Sequence, residues 1–414
     1  MRVDPRERSS DGEAAWIIVL GLWGVFAIIG AVKLGTHPYR HSSFFIYQAG
    51  AEAWLAGGSP YDPSPYPPEA RTDEPPLFRY SPPFAAAMTP FAALPIRLAS
   101  VVWVLGSLGA LLYACRRLFH AVEGSDGTKG EEAAFLLVAL GGAIRPTLSG
   151  NAHVLAAACT VFAAAAVIER KYWQAAFALP FAIFAKAAPL VFGGLLAIAK
   201  PWATIPRFGL ALVATAAIPA LVHGPTDARE VYARWFSHLS ESNADRWPSF
   251  RDLWLVWETS GIPFSVTAYR GLQVALGLFT LVAVVVFLRS TASWPRRVLA
   301  ITGLAQAYLL LCGPAVEFTQ FVVAAPWLGL ALIHARRNGR DFPLAVAATT
   351  FSLILGNSPV ERTLVRALGS DWPKAACTFG ALLFAIYVIR NGVRPFPAYV
   401  APPDGSPEAR PATT

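Results

Sequence analysis

Residues Trp16–Leu34, WIIVLGLWGVFAIIGAVKL, carry a single charged side chain, Lys33. A run of this length and character reads as a helix crossing the hydrocarbon of a bilayer, which takes about 20 apolar residues. Upstream, MRVDPRERSSDGEAA contributes Arg2, Arg6 and Arg8, and no small-residue cleavage site closes the run. It therefore reads as a retained anchor with its N-terminus in the cytoplasm. The loop after it is expected on the outer face.

Composition extends that reading to the whole chain. Of 414 residues, 55% are hydrophobic and 14% charged, more apolar surface than a soluble core can hold. The net charge of +8 does not point to nucleic acid, because Lys and Arg fall in short clusters between apolar runs, as the positive-inside rule arranges them. Eleven further runs follow, at about 98–115, 133–148, 152–168, 172–186, 187–200, 208–223, 268–288, 298–313, 318–333, 342–356 and 374–389. The expected fold is all-α: a polytopic transmembrane helical bundle of about 12 spans, forming one integral-membrane domain over 1–390. Its two large outer loops are 35–97 and 224–265. A proline-rich tail over 391–414 is expected to be disordered and cytoplasmic. Cys115, Cys159, Cys312 and Cys377 lie in or beside apolar runs without metal-ligand spacing and read as small buried hydrophobes. No period long enough for a repeat is present.

The first outer loop, SSFFIYQAGAEAWLAGGSPYDPSPYPPEARTDEPPLFRYSPPFAAAMTPFAALP from Ser42 to Pro95, organises the rest. Ile46–Leu55 predicts an amphipathic helix lying on the membrane surface and ended by Gly57-Gly58; Pro82-Pro83 opens a second, short one. Polar residues then cluster at the outer mouths of several spans: Asp62, Asp73, Glu74 and Arg79 here, Arg145, Asn151 and His153 at one turn, Lys186 at another. Lys186 either holds a lipid phosphate or snorkels to the interface, and Arg79 and Arg145 share that dual reading. Asp62 either fixes its Pro-Tyr-Asp-Pro turn or acts as a base or ligand. Asp73-Glu74 either binds a cation or is simply solvated, and His153 is either a satisfied buried histidine or catalytic. No carboxylate pair has convincing spacing for a metal, and no cofactor is expected, participation of a divalent cation being left open.

Taken in order, these stretches resemble glycosyltransferase family 87 (DUF2029), whose members include polyprenol-phosphate-mannose-dependent mannosyltransferases of the GT-C fold. The matching residues are Phe44-Phe45-Ile46-Tyr47 and Ala53 to Asp62, then Arg79-Tyr80-Ser81-Pro82-Pro83-Phe84-Ala85. Gly150-Asn151-Ala152-His153 stands where the family tends to have Gly-Gln-x-Asn. Phe184-Ala185-Lys186 with Pro189 resembles its Lys-x-x-Pro, and Gly313-Pro314 with Gln320-Phe321 its late polar turn. One position departs. The family's expected general base is an aspartate a few residues before the counterpart of Tyr47, and that position here is Ser43. A serine hydroxyl does not take up a proton near neutral pH as a carboxylate does.

The resemblance implies a plasma-membrane glycosyltransferase acting on the outer face, moving a sugar, with mannose the expected one, from a polyprenyl-phosphate carrier to a lipid or envelope-glycan hydroxyl. On that reading Asp62 is the base with Glu52 in reserve, and Lys186, Arg79 and Arg145 hold the donor phosphate. Asn151, His153, Tyr47, Tyr80 and Gln320 line the sugar and acceptor. Ser43 keeps open a non-catalytic relative that binds a polyprenyl-linked glycan. A lipid or glycan transporter is the third class, which would favour paired broken helices and polar groups at mid-bilayer.

Overall fold

A computed structural model describes residues 5–62, 78–186, 188–244, 251–262, 265–313, 316–355, 358–369 and 372–392. The acidic pair Asp73-Glu74, Pro314 and the tail beyond 392 lie outside them. The described chain is helical. It opens with α1 (Pro5–Thr36) and α2 (Phe44–Leu55), followed by the short α3 (Pro82–Ala87) and α4 (Thr89–Ala92). Six helices follow: α5 (Ile96–Glu123), α6 (Lys129–Leu148), α7 (His153–Ile168), α8 (Tyr172–Ala185), α9 (Pro189–Ile198) and α10 (Pro201–Ala216). Helix α11 (Ile218–His223) continues α10, and the stretch expected as the second outer loop contains α12 (Pro225–Ala244) and α13 (Leu253–Thr259). The last third comprises α14 (Val266–Arg289), α15 (Trp294–Cys312), α16 (Ala325–Asn338), α17 (Phe342–Thr349), α18 (Ser358–Leu368) and α19 (Ala376–Gly392).

Local chemistry accounts for many of the boundaries. Proline opens α3, α9, α10, α15 and α16, where its missing N–H costs no helical hydrogen bond. A capping box starts α6: the Thr128 hydroxyl accepts from Glu131 N at 3.2 Å and the Glu131 carboxylate from Thr128 N at 3.0 Å. Helix α2 begins two residues earlier than expected and ends as expected before Gly57, whose φ of +75° suits glycine. It does not lie free on a surface. Tyr47, Ala51 and Trp54 are buried against α3, α4 and α5 in an aromatic cluster with Phe44, Phe84 and Trp103.

At the centre stands α7, whose Ala163, Ala164, Ala165 and Ala166 are all fully buried. Side chains this small let α5 and α8 approach closely, the packing that membrane helices favour. By contrast α1 leaves Ile17, Ile18, Val25, Ile28 and Val32 exposed, while Trp23 on its other face donates to the Leu136 carbonyl at 3.2 Å. An apolar face without a protein partner belongs in lipid.

Among the described residues, five helical stretches are long and apolar enough to cross a membrane: 11–36, 96–123, 201–223, 266–289 and 372–392. A sixth is reached if the pair 342–355 and 360–368, bent by 87°, counts as one span. The expected twelve is thus not met by length. Helices α7, α8 and α9 have 16, 14 and 10 residues. At about 1.5 Å per residue the longest of the three reaches only about 24 Å, short of the roughly 30 Å hydrocarbon.

Contacts between helix ends sort the chain into two faces. At one, Arg337 pairs with Glu131 at 2.5 Å and with Glu123, Arg117 with Glu169, and Arg390 with Asp341. At the other, Ser43 N donates to the Ser149 carbonyl at 2.7 Å, Trp103 to that of Gly150 at 3.0 Å, and Lys33 to that of Leu148. The sequence-predicted site residues lie at this second face.

Candidate functional site

The site is assembled from four chain segments. The first is Arg79-Tyr80-Ser81, an irregular strip before α3. Ser81 ties it to the end of α8: its N–H and its hydroxyl both donate to the Phe184 carbonyl, at 3.4 and 2.6 Å. Two residues on, Lys186 leaves α8 in an extended conformation, so its side chain projects at the break before α9. Its ammonium sits 5.0 Å from the centroid of the Tyr80 ring, a cation–π contact.

Tyr80 is the hub. Its hydroxyl meets that of Tyr47 at 2.9 Å, and its backbone carbonyl accepts from the Tyr61 hydroxyl at 2.7 Å. The Tyr47 oxygen also accepts from Ala152 N at 3.0 Å, joining α2 to the turn before α7. Burial pushes all three phenols above their ordinary range, so they remain neutral hydrogen-bonding groups. Around this neutral core are the charges. Arg79 and Glu317 both act on Tyr80, and Lys186 on Tyr47 and His153.

The α6–α7 turn supplies the third segment. Gly150 takes φ +61°, and a Cβ there would meet Phe44 Cβ at 3.0 Å and Leu34 Cδ1 at 3.1 Å. Only glycine satisfies both the dihedral and the space. Asn151 Oδ1 accepts from His153 N at 3.0 Å, which fixes the turn and commits that oxygen. His153, 2% exposed, places Nδ1 3.1 Å from the Thr319 hydroxyl.

Thr319 opens the fourth segment, the turn of 3₁₀ helix over Phe318–Val323. Its hydroxyl also lies 3.1 Å from Glu317 Oε2. One hydroxyl proton serves one acceptor, and the carboxylate is the stronger. His153 therefore donates through Nδ1, leaving a buried Nε2 acceptor with no hydrogen-bond partner. The result is a relay: His153 to Thr319 to Glu317. Arg145, at the end of α6, stacks 5.7 Å from the Phe318 ring centroid and lies within electrostatic reach of Glu317. Gln320 N–H donates to the Glu317 carbonyl at 3.0 Å. Nearby, Arg251 and Glu361 form a buried pair at 2.7 Å.

Tyr47, Tyr80, Lys186, Arg79, Asn151 and His153 thus converge, with Arg145 and Gln320 alongside. Asp62 and Glu52 are arranged differently. The Asp62 carboxylate, 61% exposed, is engaged by Arg234 of α12, which also holds Glu230 at 2.7 Å. Glu52 stands on the exposed side of α2. Ser43 is the first-turn boundary of α2, with no side-chain capping bond.

Glu317 is the residue that sequence reasoning passed over. The only signal was its place three residues before Gln320, inside the late polar stretch VEFTQF. Among the described residues no cluster of His, Cys, Asp and Glu could hold a metal ion.

The family profile of glycosyltransferase family 87 matches residues 78–314, more than half of the chain. The chain belongs to that family. It is a membrane glycosyltransferase by membership. The matched stretch takes in Arg79, Tyr80, Arg145, Asn151, His153 and Lys186, while Tyr47 precedes it and Glu317 follows it. No curated protein matches the chain.

Proposed function

We propose that this family 87 member transfers a sugar, mannose in the first instance, from a polyprenyl-phosphate carrier to a hydroxyl of a lipid or envelope glycan. The observation that carries the proposal is the Lys186 ammonium over the Tyr80 ring, with the Glu317 carboxylate held through Thr319 against His153. Glycosyl transfer needs cations where the departing phosphate gains charge and a base where the acceptor hydroxyl loses its proton. In this reading Lys186 and Arg79, with Arg145 beside them, hold the donor phosphate. The acceptor oxygen forms its bond to the anomeric carbon as the bond from that carbon to the phosphate oxygen breaks. The electron pair leaves with the phosphate, and the acceptor proton passes to Glu317, oriented by Thr319 and His153. Inversion at the anomeric carbon is carried over from the family resemblance.

Glu317 takes the base role in preference to Asp62, whose charge is already compensated by Arg234. It also supplies the carboxylate missing at Ser43. The helices that fall short of a full span are read as crossings within a twelve-helix topology, the bundle interior covering their ends. Arg116, Arg117, Lys129, Arg170, Lys171, Arg336 and Arg337 sit in the terminal turns and connections of helices at the opposite face, which supports a cytoplasmic assignment for it and an outer assignment for the site, at the plasma membrane.

The test is transfer from radiolabelled polyprenyl-phosphate mannose by detergent-solubilised protein. Transfer without sealed vesicles supports the enzyme and excludes transport as the essential activity. Binding of the donor without transfer by the intact chain favours the non-catalytic reading that Ser43 raises.

A further inference from the structure

At the face opposite the candidate site, a groove of about 570 Å³ opens between α5 and the α7–α8 connection. Helix α5 is one of the stretches long enough to span the membrane; it lines the groove with Gly109, Tyr113, the half-buried Arg116 and His120, and its exposed stripe continues beyond the groove through Leu105 and Val102. The stripe is apolar for its first part and basic at its end. Across the groove Lys171 and Gln174 are exposed, and Phe177 of α8 is 70% exposed. Gly109, Leu112 and Tyr113 give the groove its apolar wall, and the Tyr113 ring packs on Phe162 of α7 at 6.2 Å.

Charge is graded along the same axis. Arg117 lies over the Phe162 ring at 4.3 Å and is held in place by Glu169, at 2.8 and 3.1 Å, and by the Gln174 side-chain oxygen at 2.5 Å. Lys171 joins the same carboxylate at 2.7 Å, and Arg116 pairs with Glu132 at 2.9 Å. Arg116, Arg117 and Lys171 share two carboxylates, Glu132 and Glu169, so the groove's end keeps a surplus of positive charge. An acyl furrow that ends in fixed cations and a tyrosine matches a lipid with an anionic head and apolar tails. A soluble anion would have no use for the apolar part.

We infer that this groove is a binding site for an anionic glycerophospholipid, its phosphate at Arg116, Arg117 and Lys171 and one acyl chain along Gly109, Leu112 and Tyr113. The site is separate from the proposed transfer chemistry and does not depend on it. A lipid held there would bridge α5 and α8 over the alanine-rich α7.

The full chain, purified and stripped of lipid, is titrated with phosphatidylglycerol and with phosphatidylcholine of the same acyl length, and bound lipid is counted by native mass spectrometry. The first phosphatidylglycerol is expected to bind about tenfold more tightly than phosphatidylcholine, with each interfacial cation contributing up to roughly fivefold. Arg116 and Lys171 are 39% and 55% exposed, so R116Q/K171Q is expected to fold, as an unchanged size-exclusion profile verifies. It should reduce the preference at least about fivefold. R340Q removes an exposed arginine at the same face, outside the groove, and should leave the preference intact. Equal binding of the two lipids by the unaltered chain overturns the inference. So does an equal loss in R340Q, which marks general surface attraction, or no change in R116Q/K171Q.

Discussion

Replacing Glu317 by Gln removes a proton acceptor while keeping the shape and one oxygen that can still accept from Thr319. Positioned general bases contribute typically 10²–10⁴-fold in rate, which at 1.36 kcal/mol per decade is about 3–5 kcal/mol of barrier. The loss is expected in kcat, because Lys186 and Arg79, the groups assigned to the donor phosphate, are untouched. D62N is the matched comparison. Its carboxylate is exposed and paired with Arg234, an arrangement that contributes roughly 0–1 kcal/mol, and the change should cost less than about threefold in rate. The assay is initial-rate transfer from labelled polyprenyl-phosphate mannose at several donor concentrations. If E317Q keeps a third or more of the activity while D62N or E52Q loses a hundredfold, the assignment of the base to Glu317 is refuted.

Three more outcomes follow from the geometry. K186Q should lower kcat/KM for the donor about a hundredfold by removing charge stabilisation of the leaving phosphate, with K186R recovering part of it, measured in the same assay. G150A should destabilise the fold by roughly 2–4 kcal/mol, combining the left-handed backbone with a Cβ pressed against Phe44 and Leu34. Thermal unfolding in detergent would show it as a lowered midpoint. The third concerns Glu169, whose carboxyl is held at about 2, chiefly by its hydrogen bond from Arg117. A carboxyl depressed in the folded chain stabilises it fully above the unfolded value of about 4.3 and loses that contribution as pH falls toward about 2. The melting midpoint of the unaltered chain should therefore fall across that window, and E169Q should start lower at neutral pH and fall less.

Apolar runs and punctuation carried most of the legible architecture. Trp16–Leu34 marked α1, and Gly57-Gly58 marked the end of α2, because hydrophobic length and glycine backbone freedom are local properties. Span count was harder. The stretches at 152–168, 172–186 and 187–200 look alike in composition, and what shortens them is the backbone break at Lys186 and the turn at Gly150, set by tertiary contacts. The segment 225–244 reads as a charged loop, yet it is helical because Val231 and Trp235 bury one face against the aromatic cluster. For the candidate site, Lys186 and His153 were visible as polar residues at span mouths, and Tyr47 and Tyr80 through the family resemblance. Glu317 was not, since its relation to Tyr80 and His153 joins segments more than 160 residues apart.

The double attachment of Ser81 to the Phe184 carbonyl has a thermodynamic consequence. Arg79 and Lys186 branch from a single stitched piece of main chain, so the spacing of their stems is settled during folding. An arriving anion meets a seat that is largely built, and little ordering entropy remains to be lost on docking. On the proposed reading, discrimination among sugars would then fall to the side chains of the α6–α7 turn and the late 3₁₀ segment. Sequence drift there would retune what is accepted while leaving the proposed anion seat unchanged.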